Sequence, residues 1–317
     1  GKDPRKEVLF EDVGHRKGYC CERAMLRTNH RYFGRNMDPN RLPNAIVAGA
    51  PKCGTSSLYF WLAAHPEVCA SPVKETFYFA DEVNRFNESA NVLNHSLEDY
   101  AQYFAKCGNS PIRLEATAPY IYYQQALTHI PELPSEPKVI FILREPSARL
   151  YSQYRFERFR TKRIGEDWAS YSAREDLRLH GNYHHYLKDW LAALGPERIH
   201  VCTFEALVKD TRGTVEAMAR FLGVDPAFYA NYDFVQHNET VAIKSKGMHR
   251  LGLKLQRYVP HGVQEALLPL YLKLNAGKMP QKDPGDAAIT AALKADYAPS
   301  VAALQAAFPD LDLRPWA

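Results

Sequence analysis

A short apolar run, Asn-Ala-Ile-Val-Ala at 44–48, ends at Gly49 and passes through Ala-Pro-Lys-Cys to a second glycine, Gly54. Beyond it, Leu58, Trp61, Leu62 and His65 recur at i, i+3, i+4 and i+7, the spacing of one helical face, and Pro66 closes the segment. A run with no polar alternation suits a strand buried on both faces, as in a parallel sheet. The sequence therefore predicts a strand, a glycine loop and a helix in immediate succession. Few folds accept that order.

The pattern recurs. Lys138–Leu143 (K-V-I-F-I-L) predicts a second buried strand, followed by Arg-Glu-Pro and a helix whose first turn suits Pro146, where a missing N–H costs nothing. Arg198–Phe204 predicts a third strand, preceded by the amphipathic stretch 183–194 and followed by a helix reaching Leu222. Residues 112–116 (I-R-L-E-A) supply a fourth candidate. Strands alternating with helices imply an α/β fold: one P-loop-like domain over 44–317, its mainly parallel central sheet flanked by helices on both faces. Residues 1–43, polar and basic with little periodicity, read as an arm over the core or an approach from an anchor. The Ala- and Leu-rich stretch 260–317 reads as helices packing back on the sheet.

Composition narrows the class without naming a function. The chain of 317 residues is 46% hydrophobic and 24% charged, with 40 Lys+Arg against 36 Asp+Glu, a net charge of +4. Those values exclude a disordered chain and a coiled coil, and no apolar stretch approaches the ~18–20 residues of a membrane span. A charge of +4 gives no argument for a nucleic-acid partner. Of the six cysteines, no pair has C-x-x-C spacing and no His stands near a Cys pair, so no zinc site is expected. One or two disulfides remain open if the compartment is oxidising. The sequons at Asn87, Asn94 and Asn238 hint weakly at a secretory route and a glycoprotein.

The glycines of the 49–56 loop have the separation of a Walker A loop, but Thr55 follows the second glycine and the lysine, Lys52, lies inside the loop. Backbone N–H groups and the helix N-terminus still make an anion cradle, and Thr55 or Ser56 can cap the helix. The alternative is a turn rich in small residues for tight packing. No strand-ending Asp of Walker B type stands out to hold Mg²⁺.

Four segments taken in order are more specific. PKCGTSSL at 51–58, HPEV at 65–68, KETFYF at 74–79 and LREPSARLYSQY at 143–154 resemble the sulfotransferases that use 3′-phosphoadenosine 5′-phosphosulfate (PAPS). The likeness is greatest to their carbohydrate branch, the heparan and chondroitin sulfate enzymes and bacterial relatives. It covers roughly residues 44–225, and Leu311–Trp316 is similar to the family's C-terminus. The resemblance implies that Lys52, Cys53, Gly54, Thr55, Ser56 and Ser57 hold the 5′-phosphosulfate, with Lys52 also catalytic. It implies that Arg144 and Ser152 bind the 3′-phosphate, and that Lys244 and Lys246 belong to a basic loop closing over PAPS. Glu75 stands where that branch carries its general base, among Phe77, Tyr78 and Phe79, whose apolar surroundings are expected to raise its pKa. It is preferred to His65, the nearby histidine. Lys74, Glu115 and Thr117 are assigned to substrate contact.

The implied reaction moves a sulfuryl group in line to a hydroxyl of a carbohydrate or carbohydrate-bearing acceptor, without metal, leaving adenosine 3′,5′-bisphosphate. A basic run, Arg149, Arg155, Arg158, Arg160, Lys162 and Arg163, is either a grip for a polyanionic acceptor or a solvated face. A small-molecule hydroxyl acceptor, a P-loop nucleotide kinase and a catalytically dead polysaccharide binder are the competing readings. The lumen of the Golgi or a bacterial cytoplasm both suit the chain.

Overall fold

The computed structural model describes residues 37–84, 86–235, 242–243, 276–277, 279–281 and 283–317. Lys244, Lys246, the sequon at Asn238, and most of the basic arm and of 260–283 lie outside the described residues. The chain divides into two compact units. One comprises the described residues of 37–145, 182–235 and 298–317; the other comprises 146–181 and those of 236–297.

The first unit holds a five-stranded parallel sheet. Its strands are β1 (Ala45–Gly49), β2 (Val68–Ala70), β3 (Ile112–Ala116), β4 (Lys138–Leu143) and β5 (Ile199–Thr203), in the order β2-β3-β1-β4-β5. All five residues of β1 are buried, and so are five of the six in β4, which is what their unbroken apolar character required. Val47 pairs with Ala116 on one side and Ile140 on the other. The strand read at 198–204 spans 199–203, and the one at 44–48 is shifted by one residue.

The helices of this unit are α1 (Thr55–Ala63), α2 (Leu97–Ala101), α3 (Gln124–His129), then, after those of the other unit, Tyr183–Leu194, Phe204–Lys209 and Thr211–Leu222. Two expectations about these helices need correction. Gly54 is the N-cap of α1 and no side chain caps it; Thr55 is the first helical residue and is buried. The single helix expected after residue 204 is two, because the Asp210 carboxylate accepts from Gly213 N–H and restarts the chain. Trp190 packs edge-on against Phe141 of β4 with ring centroids 5.4 Å apart. Leu304, Leu311, Leu313 and Trp316 join the same core, so the closing stretch packs back as expected.

Strand β2 has no sequence signal, since three residues make no run. It is held by pairing with β3 and by a disulfide from Cys69 to Cys107. Cys53 and Cys202 are buried free thiols. Of the sequons, Asn94 is exposed, whereas Asn87 is fully buried and its Nδ2 donates to the Phe77 and Glu82 carbonyls at 3.0 Å each.

In the second unit α4 (Pro146–Arg155) starts on its proline as predicted and runs into a π-helical turn, Phe156–Arg160. It is followed by α5 (Trp168–Ser172) and α6 (Glu175–Leu179), and the helix Pro284–Ala307 begins here. Trp168 is fully buried against Tyr151 and Tyr154, with centroids 5.0 and 5.4 Å away. Three cations of the basic run are engaged inside the unit. Arg149 is buried and donates to the Leu177 carbonyl; Arg155 donates to the Pro280 carbonyl and lies over Tyr151 and Phe159. Arg158 donates to the carbonyls of Gly165 and Glu166 and lies over Tyr154 and Phe159.

The disulfide closes a loop with a sequence separation of 38, for which chain-entropy arguments give about 3–4 kcal/mol of stabilisation. Reduction, or the Cys69→Ser/Cys107→Ser pair, is expected to lower the stability of the sheet-bearing unit by that amount. Thermal and denaturant melts with and without reductant measure it, and coincident curves would count against it.

Candidate active site

The carboxyl ends of three adjacent strands converge at the point where the sheet order reverses direction, β3 on one side of β1 and β4 on the other. In open α/β sheets that is where ligands bind. Each strand delivers one part of the site. From β1 comes the loop 50–54, anchored where Ala50 N–H donates to the Ile142 carbonyl at 2.7 Å. Gly49 has no room for a side chain: a Cβ there would stand 2.8 Å from Ile121 Cβ.

The loop turns into α1 through two left-handed residues, Lys52 at φ 70° and Gly54 at φ 88°. The first helical bond runs from Leu58 N–H to the Gly54 carbonyl, so the N–H groups of 55–57 belong to the first turn and form the positive end of the helix dipole. Lys52, Ser56 and Ser57 are half-buried around that end. Cys53 is fully buried and directs its Sγ toward the Pro51 carbonyl, so its contribution to an anion site is its backbone.

At the end of β4, Arg144 is oriented from three sides. Its guanidinium lies over the Phe204 ring at 4.7 Å, Nη1 donates to the Lys52 carbonyl at 3.4 Å, and its own carbonyl accepts from Tyr183 Oη at 2.8 Å. Phe204 also lines the loop, since a Cβ on Gly54 would meet its ring at 3.2 Å. One aromatic face thus backs both cation-bearing segments. The next residue, Glu205, accepts from Glu145 N–H at 3.1 Å and from Trp316 Nε1 at 2.8 Å, which fixes the chain beyond Arg144. Neither Phe204 nor Glu205 was singled out from the sequence. Ser152 is half-buried on α4, which belongs to the other unit.

The third part hangs on β3. Glu75 N–H donates to the Ala116 carbonyl at 2.7 Å, and Thr117 N–H to that of Val47 at 3.1 Å. The loop carrying Glu75 is therefore attached to the strand beside β1. Glu75 and Phe77 both have left-handed backbones, φ 63° and 52°, a conformation that costs non-glycine residues of order 1 kcal/mol each. Lys74 Nζ donates to Glu75 Oε1 at 2.6 Å, and the two side chains are only 8% and 14% exposed. The pair is thus buried, unlike the exposed pair that sequence alone allows.

Phe77, Tyr78 and Phe79 turn into the core, where Tyr78 stacks on Tyr100 at 4.3 Å. Burial pushes the Glu115 carboxyl up to about 7, against the hydrogen bonds of Thr117 and Thr76 and the charge of Lys74, which act the other way. Glu115 and Thr117 have no exposed surface, and the Thr117 hydroxyl donates to Glu115 Oε1. Both face the underside of the Glu75 loop instead of solvent. His65 is buried too, with Nε2 2.9 Å from the Asp225 carbonyl and Nδ1 accepting from Glu67 N–H at 3.1 Å. Its two nitrogens are occupied in joining elements. Among the described residues there is no group of three or more His, Cys, Asp or Glu placed to hold a metal ion.

A sequence model of the sulfotransferase domain matches residues 42–251, about two thirds of the chain and all three parts of the site. The protein is a member of the sulfotransferase domain family. Over 244 residues it is 28% identical to human bifunctional heparan sulfate N-deacetylase/N-sulfotransferase 3, covering 72% of this chain and 26% of that protein. The Drosophila melanogaster bifunctional heparan sulfate N-deacetylase/N-sulfotransferase is 26% identical over 302 residues, with 79% and 28% covered. This sulfotransferase chain thus spans about a quarter of the length of the curated relatives it matches. A solved sulfotransferase from Alicyclobacillus acidocaldarius superposes with a TM-score of 0.53 at 24% identity, covering 71% of this chain and 95% of that one, which shows the same fold. The family resemblance, the α/β fold with its parallel sheet and the enzyme class read from the sequence all stand. Family membership displaces the kinase reading.

Glu115 gives the sulfotransferase unit a pH-dependent stability whose sign follows from linkage. Its folded value of about 7 lies above the ordinary 4.5, so between those limits the native state holds a proton that the unfolded chain has lost. Stability is full below pH 4.5 and falls as pH rises to about 7, by about 3 kcal/mol. Denaturant titrations at pH 5 and pH 8 are expected to show that difference in the wild type and a much smaller one in Glu115→Gln. Equal slopes in the two proteins would rule it out.

Proposed function

We propose that this sulfotransferase moves the sulfuryl group of PAPS to a hydroxyl of a carbohydrate or carbohydrate-bearing acceptor. The observation that carries the reading is the junction of Lys52 and Arg144 at adjacent strand ends. One cation stands at a helix N-terminus, the other over Phe204, and a hydrogen bond from guanidinium to loop carbonyl links them. A donor with a 5′-phosphosulfate and a 3′-phosphate needs two anion sites at a set separation. In this reading the backbone of 53–57 with Ser56 and Ser57 holds the phosphosulfate and Arg144 binds the 3′-phosphate; the resemblance further assigns Ser152 to that phosphate and Lys244 and Lys246, which lie outside the described residues, to the donor.

Lys52 neutralises the charge that grows on the bridging oxygen as the S–O bond breaks and the electron pair stays with the departing nucleotide. The acceptor oxygen forms the new S–O bond in line with the leaving oxygen. Glu75 takes the acceptor proton on Oε2, while Lys74 holds Oε1 and fixes the rotamer. The products are the sulfate ester and adenosine 3′,5′-bisphosphate, with no metal required.

A second reading concerns the acceptor atom. The curated relatives are named as heparan sulfate N-deacetylase/N-sulfotransferases, which favours an amine on a similar polysaccharide. The same loop serves either acceptor, because an amine also loses a proton on sulfation. The Cys69–Cys107 disulfide supports an oxidising compartment such as the Golgi lumen.

Transfer of labelled sulfate from PAPS to N-acetylated and de-N-acetylated forms of one polysaccharide, with chelator present, tests the function and separates ester from amide-type products. Lys52→Ala and Glu75→Gln are each expected to lower kcat by about 10²-fold or more. Glu75→Gln should leave the affinity for adenosine 3′,5′-bisphosphate unchanged, and full activity in that variant would remove Glu75 as base. Phe204→Ala, which takes the aromatic face from under Arg144, is expected to weaken that nucleotide by about three- to tenfold in calorimetry.

A further inference from the structure

Beneath the Glu75 loop, three hydroxyls and one carboxyl group form a chain of hydrogen bonds. Glu115 Oε1 accepts from Thr117 Oγ1 and from Thr76 Oγ1, the latter at 3.0 Å. With its proton committed to Glu115, Thr76 must accept from Tyr120 Oη, 3.2 Å away. The lone pairs left over face three consecutive backbone N–H groups. Phe77 N–H points at Thr117 Oγ1 at 3.5 Å, Tyr78 N–H donates to Thr76 Oγ1 at 3.3 Å, and Phe79 N–H donates to Tyr120 Oη at 3.2 Å. From the other side the Phe77 carbonyl accepts from Asn87 Nδ2 at 3.0 Å and Asn91 Nδ2 at 3.3 Å. All these side chains are buried.

The loop so gripped is the one with left-handed backbones at Glu75 and Phe77. Such conformations persist only where surrounding contacts over-determine them. We propose that Glu115 is a positioning residue, which through the hydroxyls of Thr76, Thr117 and Tyr120 holds the 75–77 turn in the conformation that presents Glu75 to the acceptor. The inference rests on Glu75 being the base. It assigns Glu115 and Thr117 a part in catalysis without substrate contact.

The carboxylate is suited to this role because a hydroxyl has one proton to give. Oε1, which accepts from both threonines whether the carboxyl is ionised or carries a proton on Oε2, draws both threonine protons downward, which leaves their free lone pairs to the loop amides. Among the described residues the remaining oxygen, Oε2, has no hydrogen-bond partner, and neither has Tyr100 Oη. Burial of that kind destabilises the chain, so the carboxyl earns its place in something other than stability. The charged and titratable groups that act on it or feel its charge are Lys74 from the loop, Tyr59 from α1, Tyr100 from α2, Tyr103 from the turn after it, and Tyr120. Lys74 is the one cation among them. It is also the partner of Glu75, so it links the charges of the two carboxylates.

The test is Glu115→Gln, with Thr76→Val and Thr117→Val, which each remove one hydroxyl and keep the carboxyl. Hydrogen exchange at the amides of 75–79, the affinity for adenosine 3′,5′-bisphosphate, and kcat and KM for sulfate transfer are read on each. In Glu115→Gln the loop amides are expected to exchange about tenfold faster or more, and kcat to fall between about 10- and 100-fold, as misplacement of a reacting group by ~1 Å does. Nucleotide affinity and donor KM should stay within about twofold, because the 50–57 loop hangs on β1. On a Glu75→Gln background the same change should cost little further, since a mispositioned base and an absent one are one loss.

Unchanged exchange or unchanged kcat in Glu115→Gln overturns the proposal. A parallel fall in nucleotide affinity does so as well, since it marks a general structural role. If Glu115→Gln does not fold, the two valine variants carry the same three readouts. A wild type that transfers sulfate to no acceptor but loses loop protection in the variants overturns the functional reading and leaves the anchoring of the loop in place.

Discussion

Everything in the sheet-bearing unit depends on β1 being buried between two parallel neighbours. A parallel strand with helices over both faces has no solvent edge, so its residues must be apolar, and Ala45 to Gly49 are. Once β3 and β4 pair on either side, the carboxyl ends of all three strands open on the same edge of the sheet. The chain must leave β1 there, and it does so through a loop that ends on a helix N-terminus. Proximity of the loop, Arg144 and the Glu75 segment is therefore a result of topology. Hydrogen bonds from the segments to neighbouring strands, such as Ala50 to Ile142 and Glu75 to Ala116, convert that proximity into fixed positions.

The polar residues at this edge illustrate a trade between stability and placement. Lys74 with Glu75, and Glu115 with two threonines, are ionisable groups withdrawn from water. Buried ion pairs and half-satisfied carboxylates are weak contributors to stability. They hold a loop whose backbone, left-handed at Glu75 and Phe77, runs against local preference. A protein optimised for stability alone has better options for every one of these sites. Conflict between local rule and observed structure is where a functional site is expected.

Much of this was legible along the chain because it depends on neighbours in sequence. Strands β1 and β4 announce themselves by apolar runs, β3 and β5 by short stretches in which apolar residues alternate with polar ones, and α4 by a proline suited to its first turn. The loop at 49–54 and the segments at 74–79 and 143–154 identify the family for the same reason: each motif is contiguous. Strand β2 was silent, since Val68–Ala70 is a strand only by virtue of β3 beside it. The cap of α1 was misread because Thr55 has the right chemistry, while the backbone at Gly54, at φ 88°, had already turned the chain. Phe204 carries no local mark either. It matters because its ring meets Gly54 and Arg144, which lie far from it in sequence.

What the sequence by itself determined is the class of fold, the positions of its buried strands along the chain, and the contiguous motifs that mark the family. Those follow from residue type and short-range spacing, which the chain carries whatever its tertiary arrangement. Tertiary structure decided how each group is used. It sent the Phe77–Phe79 rings into the core, buried Asn87 against two carbonyls and engaged three arginines of the basic run internally. It also turned Glu115 from an exposed contact into the buried root of a hydroxyl network. Burial, hydrogen-bond direction and charge separation are properties of residues brought together from distant parts of the chain, and spacing along a sequence does not contain them.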